Sequence, residues 1–120
     1  MIEPRPTKRY DLEDRTFRFA KSVIEFTNLV PKTLQNTEII KQVVRSSGSI
    51  GANYIEANES LGKKDFGMRV KICRKEAKET QYWLKLLEVT GEIQQNKQQA
   101  LINESNELMK IFGAIIEKVK

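Results

Sequence analysis

Apolar residues recur at spacings of three and four along four successive segments of this 120-residue chain. The clearest case has spacings of 4, 3, 4, 3 and 4 and runs through Leu101, Ser105, Leu108, Phe112, Ile115 and Val119. This spacing places the residues on one face of an α-helix, as in a heptad seam with one polar member. No segment alternates apolar and polar residues as a half-buried strand does. The chain is therefore predicted to be all-α.

Four helices are predicted, at about residues 11–29, 37–58, 63–89 and 96–120. Pro31 ends the first helix, and Asn36 or Thr37 is predicted to cap the second. Gly91 is a natural stop for the third helix, and Asn96 is predicted to cap the fourth. Residues 1–10 contain two prolines and four charged side chains, so we expect a flexible N-terminal tail.

The predicted connections are too short for crossovers between distant helices, which favours an antiparallel up-down-up-down four-helix bundle over residues 11–120. The seam of the first helix is predicted to consist of Leu12, Thr16, Phe19, Val23, Phe26 and Val30, with a second apolar stripe at Phe17, Ala20, Ile24 and Thr27. The seam of the third helix is predicted to consist of Phe66, Val70, Cys73, Ala77, Thr80, Leu84 and Leu87.

Histidine is absent from the chain, and cysteine occurs once, at Cys73. The commonest general base and the commonest metal ligand are therefore missing, so we expect a non-enzymatic protein with no catalytic residues, no metal and no cofactor. Cys73 lies on an apolar seam and is interpreted as a core residue. A signal peptide and a membrane-spanning run are not evident, and a single cysteine suits a reducing compartment, so we expect a cytoplasmic protein with no membrane partner.

Residues 45–60, RSSGSIGANYIEANES, have the composition of a loop but the periodicity of a helix. On a helix, one stripe holds Val44, Ser47, Gly48, Gly51, Ala52 and Ile55, and an adjacent apolar stripe holds Ile40, Val43, Ile50, Tyr54 and Ala57. The polar stripe opposite holds Gln42, Arg45, Ser46, Ser49, Asn53 and Glu56. The stretch is therefore predicted to be the middle of the second helix.

Each glycine inside a helix costs about 1 kcal/mol relative to alanine, so some gain should offset that cost. Close approach of another backbone or a ring is the favoured reason at Ser47, Gly48, Gly51 and Ala52, and the rings considered are Phe17, Phe66, Trp83 and Phe112. Direct phosphate binding is the alternative, since GSIG matches the G-x-x-G loop of KH modules. Those modules require strands, which the sequence does not predict.

The densest basic segment is KKDFGMRVKICRKEAK, residues 63–78, with seven Lys or Arg and two acids. One side of the third helix carries a basic stripe, which consists of Lys64, Lys71, Arg74, Lys75, Lys78 and Lys85. Such a stripe is suited to follow a phosphate backbone, and Arg15, Arg18 and Lys21 on the first helix are candidates to extend it. The alternative is a solvated face with helical pairs such as Lys75–Glu79. A cross-helix link from Arg45 to Glu76 or Glu79 is favoured over a carboxylate metal site.

Three elements, VVRSSGSIGANYIEANES, KKDF and KICRKEAKETQYWLKLL, resemble in order and spacing the small bundle proteins encoded within intervening sequences of bacterial 23S rRNA genes. The resemblance covers roughly residues 15–120. It implies a bacterial protein, an up-down four-helix bundle and a ring-like homo-oligomer, a pentamer. The accessory proteins of diversity-generating retroelements look like the same bundle, and those basic pentamers bind nucleic acid and a reverse transcriptase. Gly67 is a departure from the pattern of this family inside the third helix.

The net charge of +5 and the pI near 9.4 favour an anionic partner. Together with the basic stripe and the resemblance, they lead us to expect a nucleic-acid-associated module, directed to RNA. The alternative is a protein-interaction scaffold or adaptor, in which the basic stripe meets an acidic protein surface without contacting nucleic acid.

Overall fold

The structure is a computed structural model that describes residues 8–120. It contains four α-helices: α1 (Lys8–Thr27), α2 (Leu34–Asn58), α3 (Lys63–Leu86) and α4 (Gly91–Lys118). Strands are absent from these residues, which confirms the all-α prediction. Residues 1–7 of the predicted tail lie outside the described residues. Residues 8–10 belong to α1, which begins three residues before the predicted start of the first helix.

Two predicted helix caps are wrong. Thr33 caps α2, because its hydroxyl accepts a hydrogen bond of 3.0 Å from the backbone N–H of Asn36. α4 begins at Gly91, after Thr90, so Asn96 lies inside the helix and does not cap it. Gly91 has a φ of +82°, a left-handed conformation that favours glycine.

Each helix packs against two neighbours. Within residues 8–120, contacts join α1 to α2, α2 to α3, α3 to α4 and α4 to α1, and the diagonal pairs make no comparable contact. Cross-helix hydrogen bonds join the start of one helix to the end of the next. For example, Asn58 Nδ2 donates to Glu13 Oε2 over 2.7 Å, and Gln98 Nε2 donates to the carbonyl of Leu84 over 2.8 Å. In both examples, the start of one helix lies beside the end of a helix that it packs against.

The predicted seams of α1 and α3 form the core. All six residues of the α1 seam are buried, as are all residues of the α3 seam except the half-buried Phe66. In α4 the buried residues are Leu101, Ser105, Leu108, Phe112 and Ile116. Ile116 therefore replaces the predicted Ile115, because a straight helix of 3.6 residues per turn drifts away from a strict heptad repeat.

The second apolar stripe predicted for α1 is largely on the surface. Phe17 is 64% exposed and Ile24 is 46% exposed, whereas Thr27 is buried. A helix at the corner of a four-helix bundle meets two neighbours, and one seam is enough to fill that contact. Phe17 and Ile24 consequently face away from the core of the described bundle.

A buried polar contact joins the middle of α2 to α3. Ser46 and Thr80 are both fully buried, and their hydroxyl oxygens lie 2.8 Å apart. Thr80 Oγ1 is also 2.8 Å from the carbonyl oxygen of Glu76. The assignment of Ser46 to an outward polar stripe is therefore wrong, because a partner on α3 satisfies its hydroxyl inside the bundle.

Asn36 connects the two chain segments that lie at one end of the bundle. Its side chain is fully buried, and Nδ2 donates to the carbonyl oxygens of Pro31 and Glu88, each over 2.9 Å. Oδ1 accepts from the backbone N–H of Glu88 over 2.9 Å. One side chain thereby satisfies three backbone groups and holds the α1–α2 connection against the α3–α4 connection.

Candidate nucleic-acid interface

The six residues of the basic stripe, Lys64, Lys71, Arg74, Lys75, Lys78 and Lys85, are all exposed. They lie on the outer face of α3, on the side of the helix opposite the buried seam. Tyr82 lies among them, three residues before Lys85 and four after Lys78, and is 59% exposed. This face therefore presents one accessible aromatic ring within a row of cations.

The acidic side chains in the middle of α3 lie on the side that faces α2. Arg45 of α2 forms salt bridges with Glu76, over 3.5 Å, and with Glu79. Glu79 Oε2 also accepts a hydrogen bond of 2.9 Å from Trp83 Nε1. The predicted cross-helix link is confirmed for both carboxylates.

Among the described side chains, these pairings leave no acidic partner for the basic stripe. No salt bridge of the described chain includes any of its six residues, and the alternative pair Lys75–Glu79 is not formed. In the middle of α3, Glu76 and Glu79 therefore lie towards α2, while the cations of the basic stripe lie towards solvent. Arg69 is not part of the stripe and donates a hydrogen bond of 3.2 Å to Asn53 of α2.

Arg45 also compensates a carboxylate inside the bundle. Glu76 is 8% exposed, and its buried Oε1 accepts no hydrogen bond. The Nη1 atom of Arg45, 3.5 Å away, supplies the compensating charge. Since an unpaired buried charge is strongly unfavourable, this pairing gives Arg45 a structural role and separates it from the cations available to a ligand.

Arg15 and Arg18 lie apart from the basic stripe. They belong to α1, which lies diagonally across the bundle from α3 and is not one of its two neighbouring helices. Arg15 makes two hydrogen bonds to Glu104 of α4, of 2.6 and 2.8 Å, and these raise the pKa of its guanidinium. Arg18 is exposed and pairs with Asp14 at 2.8 Å. The spacing of residues within α1 does not reveal that Arg15 pairs with Glu104 of α4. The sequence pattern alone therefore grouped Arg15 and Arg18 with the basic stripe.

The four small residues of α2 have different surroundings. Ser47 is buried, and Gly51 is half-buried against α1. A Cβ atom added to Gly51 would lie 2.9 Å from Thr16 Oγ1 and 3.3 Å from Thr16 Cβ. The neighbour is therefore a threonine and not one of the predicted rings.

Gly48 and Ala52 face outward. A Cβ atom added to Gly48 would meet nothing within 4 Å, and Ala52 is exposed. Close packing of Gly48 inside one chain is therefore not observed, and its packing in an oligomer stays a prediction. Gly48 lies on the side of α2 that also carries Ile55, which is 50% exposed. Exposed Phe17 and Ile24 on the neighbouring α1 give this pair of helices a partly apolar outer surface.

Cys73 is fully buried in the α3 seam, as predicted. Burial raises the pKa of its thiol from 9.0 to about 12. The thiolate is the reactive form of cysteine, and a shift of three pH units lowers its fraction about a thousandfold near neutral pH. The environment of Cys73 is therefore that of an unreactive core residue.

The Cys73 thiol is expected to resist alkylation in the folded protein and to react rapidly once the chain unfolds. Burial and the raised pKa both act in this direction. The measurement is the rate of iodoacetamide labelling at pH 8, followed by mass spectrometry with and without concentrated urea. Equal rates in the two conditions would contradict the placement of Cys73.

Among residues 8–120, no group of three or more His, Cys, Asp or Glu side chains is arranged to hold a metal ion. In the same range, no helix is both long and apolar enough to span a membrane.

The fold and the charged face define a small all-α bundle protein with a cationic outer helix. The chain belongs to the family of 23S rRNA-intervening sequence proteins, whose family model matches residues 8–114. A crystal structure of a protein of unknown function from the S23 ribosomal protein family of Bacteroides thetaiotaomicron has the same fold. It is 32% identical to this chain with a TM-score of 0.79, and the match covers 92% of this chain and 99% of that one. Comparison with curated proteins gives no match.

Proposed function

We propose that this protein is a non-enzymatic RNA-associated module that binds the phosphate backbone through the basic stripe of α3 and acts as a homo-oligomer. The observation that carries the proposal is charge segregation. Six exposed cations on one face have no salt bridge among the residues that the structure describes, while Glu76 and Glu79 are bound by Arg45 on another side of the same helix. Unpaired cations in a row are suited to phosphates, whose contacts depend on charge and not on base sequence.

The length of the stripe suits an extended polyanion. Lys64 and Lys85 are 21 positions apart, which corresponds to ~32 Å along a helix. A nucleic-acid backbone presents many phosphates over that distance. Tyr82 offers a surface on which one base could stack. The relation of this family to 23S rRNA intervening sequences favours RNA over DNA.

The proposed oligomer would place several copies of the stripe on one RNA. The resemblance to ring-forming bundles suggests a pentamer, and the exposed Phe17, Ile24 and Ile55 supply apolar surface for contacts between copies. Linked sites bind with an enhanced effective concentration, so weak contacts from each copy combine into a useful affinity.

The test is titration of fluorescent 23S rRNA fragments at about 50 and about 200 mM salt. We expect binding that weakens steeply as salt rises, because each neutralised phosphate releases a counterion. The triple variant Lys71→Glu, Lys75→Glu and Lys78→Glu should weaken binding at low salt by at least about tenfold, because three contacts become repulsive. Absence of binding by the parent protein at low salt would overturn the proposal.

A matched control variant distinguishes an effect of the basic stripe on RNA binding from an effect of the net charge of the protein. Lys32→Glu, Lys41→Glu and Lys97→Glu change the net charge by the same amount at exposed positions outside α3. This control should lose far less affinity than the stripe variant. Equal losses would show that binding depends on overall charge and not on the stripe. If RNA does not bind but a protein partner survives nuclease treatment in a pull-down, the scaffold alternative replaces the proposal.

A further inference from the structure

A small pocket lies where the start of α3 meets the end of α4. Its volume is about 280 Å³. Four lysines contribute to its lining, Lys63, Lys64, Lys71 and Lys120. Two of them, Lys64 and Lys71, belong to the basic stripe, so the pocket is continuous with one end of it.

The rest of the lining is apolar. It consists of Gly67, Met68, Ile116 and Val119. Ile116 is 7% exposed and belongs to the core, whereas Met68 is 56% exposed at the surface. The pocket therefore combines an apolar floor with a cationic rim.

Gly67 is a buried residue of the pocket floor and lies next to Val119. A Cβ atom added there would meet Val119 Cγ2 at 3.5 Å, an ordinary van der Waals contact. Alanine would therefore fit, and it would favour the helix by about 1 kcal/mol. The packing of the bundle therefore does not require glycine here, and a side chain larger than alanine would enter the floor of the pocket against Val119.

The charge balance of the pocket is positive. Lys120 is paired with Glu117 at 3.1 Å, while the other three lysines have no salt bridge among the described residues. Asp65 is close in sequence but does not line the pocket. The N-terminus of α3 and the C-terminus of α4 lie side by side at the pocket. The partial positive charge of the first and the partial negative charge of the second therefore largely cancel. The lysine side chains therefore determine the charge of the rim.

We propose that this pocket binds one unstacked nucleotide of a single-stranded nucleic acid, with its base on Met68 and Val119 and its phosphates on the lysines. The proposal rests on the proposed function and specifies the form of the ligand. A base has an apolar face and a nucleotide carries anionic groups, which matches the floor and the rim. The pocket is smaller than the 300–1,000 Å³ typical of small-molecule sites, so it accommodates a single base. A duplex keeps its bases stacked inside and would reach only the stripe.

The experiment compares single-stranded RNA with duplex RNA of equal length, each labelled for fluorescence anisotropy. In the variant Gly67→Leu, a larger side chain fills the floor of the pocket. We expect it to weaken single-strand binding about tenfold, because the base loses apolar contact with Met68 and Val119, and to leave duplex binding unchanged. A single-stranded DNA arm shows whether the pocket distinguishes the two sugars.

A second variant protects the test against misfolding. Met68→Ser removes the exposed part of the floor and should also weaken single-strand binding selectively. Circular dichroism checks that both variants keep the helical content of the parent. If both bind single strands like the parent, or lose duplex binding equally, the pocket proposal is overturned while the stripe proposal stands. If the parent binds neither form of RNA, the proposed function itself fails.

Discussion

Replacing Asn36 with alanine is expected to lower the free energy of unfolding by about 2–4 kcal/mol. The side chain is fully buried and satisfies the carbonyls of Pro31 and Glu88 and the N–H of Glu88. Alanine would leave all three backbone groups without that partner, and each unsatisfied buried group is costly. Urea denaturation followed by circular dichroism measures the change.

The matched control for Asn36→Ala is Asn96→Ala. Asn96 is an exposed asparagine inside α4, so its removal should change stability by no more than about 0.5 kcal/mol. If Asn36→Ala unfolds at the same urea concentration as the parent, the connection between the two loops does not stabilise the bundle. A loss of about 1 kcal/mol in Asn96→Ala would instead indicate that this residue caps a helix.

Asn36 is an example of a residue whose hydrogen-bond partners cannot be predicted from the periodicity of its own helix. The sequence suggested Asn36 or Thr37 as the cap of the second helix, because such residues before an apolar-periodic segment are a common start signal, but Thr33 is the cap. The main partner of Asn36, Glu88, is 52 positions away, and only the folded arrangement of the two connections brings them together. The same limit applies to Arg15, whose partner Glu104 is on another helix.

Residues whose environment depends on their own helix were predicted well. The seams of α1 and α3 needed only a spacing of three and four, and the exposed stripe of α3 followed from its position opposite that seam. Ser46 was missed because a serine was assigned to solvent by residue type. A signal existed, however, since Thr80 was already placed on the buried seam of α3 and needed a polar partner.

The two glycines of α2 are expected to respond differently to the same substitution. Gly51→Leu should lower the free energy of unfolding by about 3 kcal/mol, because even its Cβ atom would lie 2.9 Å from Thr16 Oγ1. Gly48→Leu should leave the stability of one chain unchanged or raise it by up to about 1 kcal/mol, because its side chain enters open space and leucine favours a helix. Thermal and urea unfolding of the two variants measure the contrast.

Two further measurements test the cause of the difference between Gly51→Leu and Gly48→Leu. Thr16→Ala combined with Gly51→Ala should recover part of the loss seen in Gly51→Ala alone, since the 2.9 Å contact is removed while the backbone of α1 remains. Light scattering of Gly48→Leu tests the proposed oligomer, because a side chain at a close contact between copies would lower the mass. If Gly51→Leu melts like the parent, the close approach of α1 and α2 is wrong. If Gly48→Leu also keeps the mass of the parent oligomer, the open side of α2 is not a contact between copies, and its glycine serves no packing role.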